Sequence, residues 1–511
     1  MTPDEALAEL NAKLKALSDE GRPDAVARRR KTSQRTAREN VADLVDPGSF
    51  VEYGALALAA QRTRHDLETL EKLSPADGII CGLASIDGGR AVVLAYDYTV
   101  FAGTQGHVGH AKLDRMLALA EAHRVPLVLF AEGGGGRPND VDNPTIAGLD
   151  TPSFFALAKL SGLVPRVGIA SGRCFAGNAA LLGCCDVVIA TEDSNLGMGG
   201  PAMIEGGGLG TFKAEEIGPI AVQSKNGVVD VRVKDEAEAV AVAKRYLSYF
   251  RGARAEFTVA DQATLRAAMP ERRRRAYKVR PIIETLCDEG SVLELRREFG
   301  RSLVTALVRI EGQPFGLLAN DCFHLGGAID GDAADKAARF LQLCDAFGLP
   351  VLSLCDTPGF MVGPAAEATA LVRRTSRMFV AAASLAVPYF TVVLRKGYGL
   401  GAQAMAGGHF HAGVFTVAWP TGELGGMNLE GAVRLGMRKE LEAIADAAER
   451  EELFKSLVAA AYERGKAVNV ASLIELDAVI DPAETRAWVM RGFRSVAPPA
   501  SPRPRRFIDT W

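Results

Sequence analysis

The sequence predicts an α/β protein made of two tandem copies of one domain, and three observations carry that expectation. They are a long internal repeat without gaps, a shared order of strands and helices in each half, and a length of 511 residues. At ~100–200 residues per domain, such a chain holds two to four domains with room for large cores. Residues 86–135 fall on 310–359 at a constant shift of 224. Ile86 meets Ile310, Gly88 meets Gly312, Asp97 meets Asp321, Gly103 meets Gly327, Lys112 meets Lys336, Pro126 meets Pro350 and Gly135 meets Gly359. A shift of 222 then aligns Arg173 and Gly177 with Arg395 and Gly399. Register kept over so many positions implies duplication. The expected domains are 1–255, which includes an N-terminal helical arm, and 256–511.

Each half repeats one order of elements. An apolar strand (AVVLAYD, FGLLAND) leads through a glycine-containing loop into a helix with apolar positions at 113, 116, 117 and 120 in the first copy. After a proline comes a second apolar strand (PLVLFAE, PVLSLCD), a glycine-rich turn, another helix and a further strand (RVGIASG, YFTVVLR). Strands that are apolar throughout and alternate with helices imply parallel β/α layers with right-handed crossovers. In such sheets ligands gather at the carboxyl ends of the strands. The charged stretch around Arg272–Arg275 reads as a solvated linker face, and the basic run ARRRKTSQRTAR near the N-terminus as an exposed helix packed across a neighbouring subunit.

Composition excludes several function classes. Lys and Arg total 59 against 62 Asp and Glu, a formal charge of −3, so no basic excess calls for a nucleic acid or an anionic membrane. No apolar run reaches the ~18 residues of a membrane span, and the N-terminus lacks a signal core. The eight cysteines form no C-x-x-C pair and lie mostly in apolar runs. That pattern fits reduced, buried thiols in a cytoplasmic protein better than a disulfide frame or zinc site. His107 with His110, and His409 with His411, lack the acidic or thiol companions of a metal site, so no metal is expected.

The 53 glycines, about a tenth of the chain against a ~7% norm, point to the chemistry. In both halves a glycine stands between a strand and a helix: Gly177 in GIASGRCFAGNAALLG, where the strand is expected to end near Ser171, and Gly399 with Gly401 in VVLRKGYGLGAQAMAGG, where it is expected to end near Arg395. First-turn N–H groups of a helix lack internal acceptors and carry the positive end of its dipole, so they can hold an oxyanion. Two such holes suit a reaction between two carbonyl compounds, each carrying charge on oxygen. One reactant can then remove the other's proton, which fits the shortage of histidine. Glu132 and Asp356, matched by the repeat, read as strand-end structural acids.

At these residues the chain resembles the carboxyltransferase (β) subunit of biotin-dependent acyl-CoA carboxylases, the propionyl-CoA and methylcrotonyl-CoA carboxylase family. The likeness runs over roughly residues 20–500. It is carried by LVDPGSFVE, DYTVFAGTQG, EGGGGR, GRCFAGNAALLGCCDVVIA and NGVVDVRVKDEAEAV in the first half. In the second half it is carried by LANDCFHLGGAIDGDAADKAARFLQLCDAFGLPVLSLCDTPGFMVG and RKGYGLGAQAMAG. The resemblance implies two tandem crotonase-like (ClpP/crotonase) domains. It also implies a homohexamer with each active site between subunits, and carboxybiotin arriving on a biotin carboxyl carrier from a biotin carboxylase partner. Its catalytic amides map to Ala176, Gly177 and Asn178 and to Gly399, Leu400 and Gly401. Gly103, Gly134, Gly135, Gly359 and Phe360 map beside CoA or biotin. Gln403 stands where propionyl-type enzymes carry an acid that helps choose the acyl chain, so the acyl group is expected to be small or medium but is not fixed. EGGGGR replaces the family's DSGGAR. The alternatives are the related decarboxylase subunit, which runs the same transfer backwards, a CoA-binding scaffold without turnover, and hydratase or hydrolase chemistry.

Overall fold

The computed structural model describes residues 1–142, 147–496 and 506–511. The chain divides into two compact units, Met1–Arg251 with the tail segment Arg505–Thr510, and Gly252–Pro504. The sequence places the tail with the second domain. In the structure it returns to the first unit, where Ser161 Oγ donates to the Ile508 carbonyl at 2.7 Å and the Ile508 N–H donates back to Ser161 Oγ at 2.9 Å.

In the first unit the described strands form one sheet and a small pair. The strands Ile79–Ile86 and Gly89–Tyr96 are an antiparallel hairpin. Leu127–Phe130, Arg166–Ala170, Val187–Thr191 and Val231–Val233 then follow side by side in parallel. Arg173–Phe175 leaves this sheet and pairs with Asn195–Gly197. The second unit repeats the plan with Leu303–Ile310 and Gln313–Asn320 as the hairpin, followed by Val351–Thr357, Tyr389–Tyr398 and Phe415–Ala418 in parallel. The helix His107–His123 buries Leu113, Met116, Leu117 and Ala120 on the sheet, the four positions its spacing singles out. Its counterpart Gly331–Phe347 is buried on nearly every face.

Two expectations need correction. The sheets are mixed, because each opens on a hairpin whose two-residue turn, Asp87-Gly88 or Glu311-Gly312, has positive φ at both positions (46° and 75°; 52° and 75°). That is the turn whose twist suits adjacent antiparallel strands. The strand that reads as ending near Arg395 runs on to Tyr398, since Lys396–Tyr398 gains a new parallel partner in Glu423–Gly425.

The basic segments also do more than the sequence suggests. Arg29 is buried and joined to Glu132. Arg273 lies over the Tyr462 ring at 3.3 Å and 3.6 Å from Glu423, and the carbonyls of Arg273 and Arg275 accept from Arg395. The stretch is therefore anchored to the second unit and is not a free linker.

Candidate active site

The first junction is built by the short strand Arg173–Phe175 and the helix Gly177–Gly183. Ala176 between them holds φ 51° and ψ −122°, a conformation an L-residue keeps only when its surroundings enforce it. Its N–H donates to the Gly197 carbonyl at 3.0 Å. Ala176, expected among the oxyanion donors, is therefore a fixing point: its hydrogen is already used. Gly177 and Asn178 open the helix without a side-chain cap, so their N–H groups are the ones left for an incoming anion.

The side chain of Asn178 is fully buried and ties the loops together. Its Nδ2 donates to the carbonyls of Gly103 (2.9 Å) and Glu132 (2.8 Å), and its Oδ1 accepts from Gln105 Nε2 (2.9 Å). Gly103 is buried, has φ 67° and spends its N–H on Val100. A Cβ there would stand 2.5 Å from the Glu132 carbonyl oxygen. Its bare backbone lets two loops pass at contact distance. Gly134 and Gly135 are partly exposed beyond that crossing, and a Cβ on Gly135 would lie 3.6 Å from the Gly177 nitrogen. A bare Gly135 keeps the approach to that N–H open.

The second junction lies where the strand Tyr389–Tyr398 enters the helix Gly399–Met405. Gly399 has φ 59°, and a Cβ on it would come 3.0 Å from the Gly426 carbonyl oxygen. Leu400 turns its side chain out, 61% exposed. Gly401 packs on the strand-end loop so closely that a Cβ would fall 2.6 Å from Gly359 C and 2.9 Å from Phe360 N. Gly359 spends its N–H on Thr357 Oγ1 at 3.1 Å, and the helix that begins with Gly399, Leu400 and Gly401, the three expected donors, opens without a side-chain cap. Phe360 stacks edge-on with Phe379. Gln403, one turn into the helix, is exposed and lines a cavity of about 670 Å³ within this unit.

Neither strand-end acid is free. Glu132 receives both Nη groups of Arg29 at 2.7 and 2.6 Å, and burial pushes its carboxyl up to about 7 against the pull of that guanidinium. Asp356, with no exposed surface, accepts from Arg395 Nη2 at 2.9 Å and from the Lys396 N–H at 3.1 Å. His110, weighed as a metal ligand, shares a hydrogen bond with Ser153 Oγ at 2.9 Å.

A carboxyl transferase domain matches residues 28–504. The chain belongs to this family. Within it, the methylmalonyl-CoA carboxyltransferase 12S subunit of Propionibacterium freudenreichii subsp. shermanii is 31% identical over 98% of this chain and 95% of its own length. The biotin-dependent long chain acyl-coenzyme A carboxylase beta4 subunit of Mycobacterium tuberculosis is 32% identical over 95% of this chain and 93% of its own. Among solved structures, a single-chain, multi-domain long-chain acyl-CoA carboxylase superposes with a TM-score of 0.91 at 60% identity. That match covers 96% of this chain and 49% of the other, so this chain spans about half of that protein. The transcarboxylase 12S crystal structure, a hexamer assembly with methylmalonyl-CoA and methylmalonic acid bound, superposes with a TM-score of 0.87 at 29% identity over 99% and 98% of the two chains. The carboxyl transferase fold here is thus a tandem pair of crotonase-like domains, and its class of chemistry is biotin-dependent carboxyl transfer involving an acyl-CoA.

Sequence reasoning found the junctions but missed what holds them. Gln105, Arg29 and the Asn178 side chain stand in no motif whose spacing signals a brace. The Asp-Gly of the first hairpin turn was a signal available in the sequence.

Proposed function

We propose that this carboxyl transferase domain moves CO2 between carboxybiotin and the α (or vinylogous) carbon of an acyl-CoA, holding one negative oxygen at each junction. The Gly177 and Asn178 amides serve one anion and the Leu400 and Gly401 amides the other. The observation that carries this reading is the matched pair of uncapped helix starts, each fronted by a strand-end glycine packed against it. Oxyanion donors of this kind are worth about 2.7–4 kcal/mol each in the transition state.

Carboxybiotin supplies CO2 and, once relieved of it, the base for the α-proton. This chain's residues then need only orient and stabilise, which agrees with Glu132 and Asp356 being held by Arg29 and Arg395. Hydratase or hydrolase chemistry loses its candidate acids for the same reason. We assign Gly134 and Gly135 to the ligand approach at the first junction and Phe360 to that at the second. We further propose a homohexamer, by similarity to the transcarboxylase 12S hexamer assembly, and carboxybiotin delivered on the carrier of a biotin carboxylase partner. Eight unpaired cysteines, seven of them buried, support a cytoplasmic site of action. Among the described residues no helix is long and apolar enough to cross a membrane. Similarity to two proteins named for long-chain substrates supports a long acyl group over the small or medium one expected from sequence.

Incubating the purified chain with free biotin and α-carboxylated acyl-CoAs, with acyl-CoA products followed by mass spectrometry, tests the transfer. Loss of the carboxyl group that depends on biotin is expected. CoA binding without any exchange sinks the reading in favour of a scaffold.

A further inference from the structure

We propose that Arg137, which closes the EGGGGR run, is a positioning residue for the first junction: it fixes the glycine loop and, through Gln105, the aim of the Gly177 and Asn178 amides. This rests on the carboxyl-transfer reading above. The Arg137 side chain is only 4% exposed, so its guanidinium is turned into the protein and not toward a ligand. Nη1 donates to Asp77 Oδ1 at 2.6 Å and to Asp140 Oδ1 at 3.3 Å, and Nη2 donates to the Thr104 carbonyl at 3.1 Å. The group also lies over the Phe101 ring, 4.6 Å from its centroid.

Two buried carboxylates face this one guanidinium, and the start of the helix His107–His123 takes up the remaining charge. The Gly109 N–H donates to Asp77 Oδ2 at 2.6 Å and the His107 N–H to Asp140 Oδ2 at 2.9 Å, both from the first turn, where the helix dipole is positive. Arg137 is thus locked between a helix start and the loop 101–105. Its backbone carries that hold onward. The Arg137 N–H donates to the Gln105 carbonyl at 2.8 Å, and the Gln105 N–H donates to the Gly135 carbonyl at 2.9 Å. Gln105 then meets the junction helix, through its bond to Asn178 Oδ1 and by lying where a Cβ on Gly177 would fall.

The repeat shows why an arginine stands here. In the second unit Ile329 and Met361 occupy the places of Gln105 and Arg137 and keep the same two backbone bonds, from the Ile329 N–H to Gly359 at 3.1 Å and from the Met361 N–H to Ile329 at 2.8 Å. That loop is stiffened from within, by Pro358 and by Thr357 Oγ1 on the Gly359 N–H. Gly133–Gly136 has no such device, and each glycine loses more freedom on ordering than any other residue. A Cβ on Gly134 would meet only Thr104, and one on Gly136 nothing within 4 Å. Gly133 is pinned by its bonds to Arg173 and Phe175, so the far end of the run depends on Arg137.

The test measures kcat per folded molecule of the full chain for carboxyl transfer to free biotin, from whichever of methylmalonyl-CoA and tetradecylmalonyl-CoA is turned over faster. Arg137→Met is expected to lower it by about 10²-fold, the cost of displacing a site by about 1 Å. In a Gly177→Pro protein, which has already lost a donor at the first junction, the same change is expected to cost less than about threefold. In a Leu400→Pro protein, altered at the other junction, it keeps its full effect. A brace with no bearing on the first anion would lower the denaturant midpoint and leave kcat per folded molecule unchanged, and that result overturns the proposal. So does an equal loss in the Gly177→Pro and Leu400→Pro proteins, whether large or small. If Arg137→Met does not fold, Arg137→Lys takes its place, since it keeps a cation beside Asp77 and Asp140 but has no second nitrogen for the Thr104 carbonyl; the same pattern supports the proposal and equal losses overturn it. Absence of transfer by the unmodified protein with both substrates is a different result, and overturns the carboxyl-transfer reading itself.

Discussion

The two halves solve one mechanical problem with different residues. Each must hold a glycine loop against a strand end so that the junction beyond it stays open. In the first half, Gly103 crosses the Glu132 backbone and the Asn178 side chain binds both carbonyls from the junction helix. In the second half, Gly327 crosses the Asp356 backbone, where a Cβ would stand 2.4 Å from the Asp356 carbonyl oxygen. The tie here comes from Asn320 at the end of a strand, whose Oδ1 accepts the Asp356 N–H at 3.0 Å and whose Nδ2 reaches the Gly327 carbonyl at 3.3 Å. The repeat places Tyr96 opposite Asn320, and Leu400, with its side chain exposed, opposite Asn178. The crossing is the retained feature, and the brace was free to move to another element.

The strand-end acids differ in the same way. Glu132 reaches a guanidinium from the N-terminal arm, while Asp356 reaches one from the neighbouring strand. The matched lysines do not differ: Lys112 Nζ donates to the carbonyls of Ala76 and Ile79, and Lys336 Nζ to those of Phe299 and Leu303.

The largest expected effect tests the acid pairs. Glu132→Gln and Asp356→Asn each leave a buried arginine without its anion, which costs about 3–5 kcal/mol, read as a shift of the denaturant midpoint. Activity scaled to the folded fraction should persist. Complete loss of turnover in a folded Glu132→Gln protein with normal biotin binding would make Glu132 catalytic and break the symmetry with Asp356.

Next come the amides. Proline at Gly177 removes one N–H, yet a Cβ there would come 2.1 Å from Gln105 Oε1, so the substitution also displaces that side chain. Gly177→Ala supplies the control, and Gly177→Pro is expected to lose a further ~10²–10³ in kcat. Leu400→Pro against Leu400→Ala makes the same comparison at the second junction with an exposed side chain. Equal rates within either pair place the anion elsewhere.

The smallest effect concerns the lysines. Burial pulls Lys336 from 10.5 down to about 7 and lowers Lys112 in the same direction. A neutral amine still offers two N–H donors, matching the two carbonyls each lysine meets. The unfolded chain binds the extra proton between about pH 7 and 10.5, so this group's contribution to stability rises with pH across that window. The stability difference between the unmodified protein and Lys336→Met should therefore move toward the unmodified protein between pH 7 and 10. A difference independent of pH would show that Lys336 stays charged when folded.

Much of the fold was legible because duplication and hydrophobic periodicity are properties of the chain read along its length. The four buried positions of helix His107–His123 follow from its spacing alone. The antiparallel hairpins escaped because a fully buried strand looks the same whichever way its neighbour runs. The junction glycines were visible as breaks between apolar runs, but which amides were free was not. Ala176 loses its N–H to Gly197, and Gly359 loses its own to Thr357.

By itself the sequence determined that one β/α unit occurs twice and that each copy breaks from strand to helix at a glycine. The tertiary structure alone decided that the Ala176 N–H is spent on Gly197, which asparagine braces each loop, and which arginine holds each strand-end acid. The reason is range. Periodicity and turns are fixed by neighbours along the chain, whereas Arg29 meets Glu132 across 103 residues and Asn178 meets Gly103 across 75. Contacts at that separation exist only once the sheets are assembled.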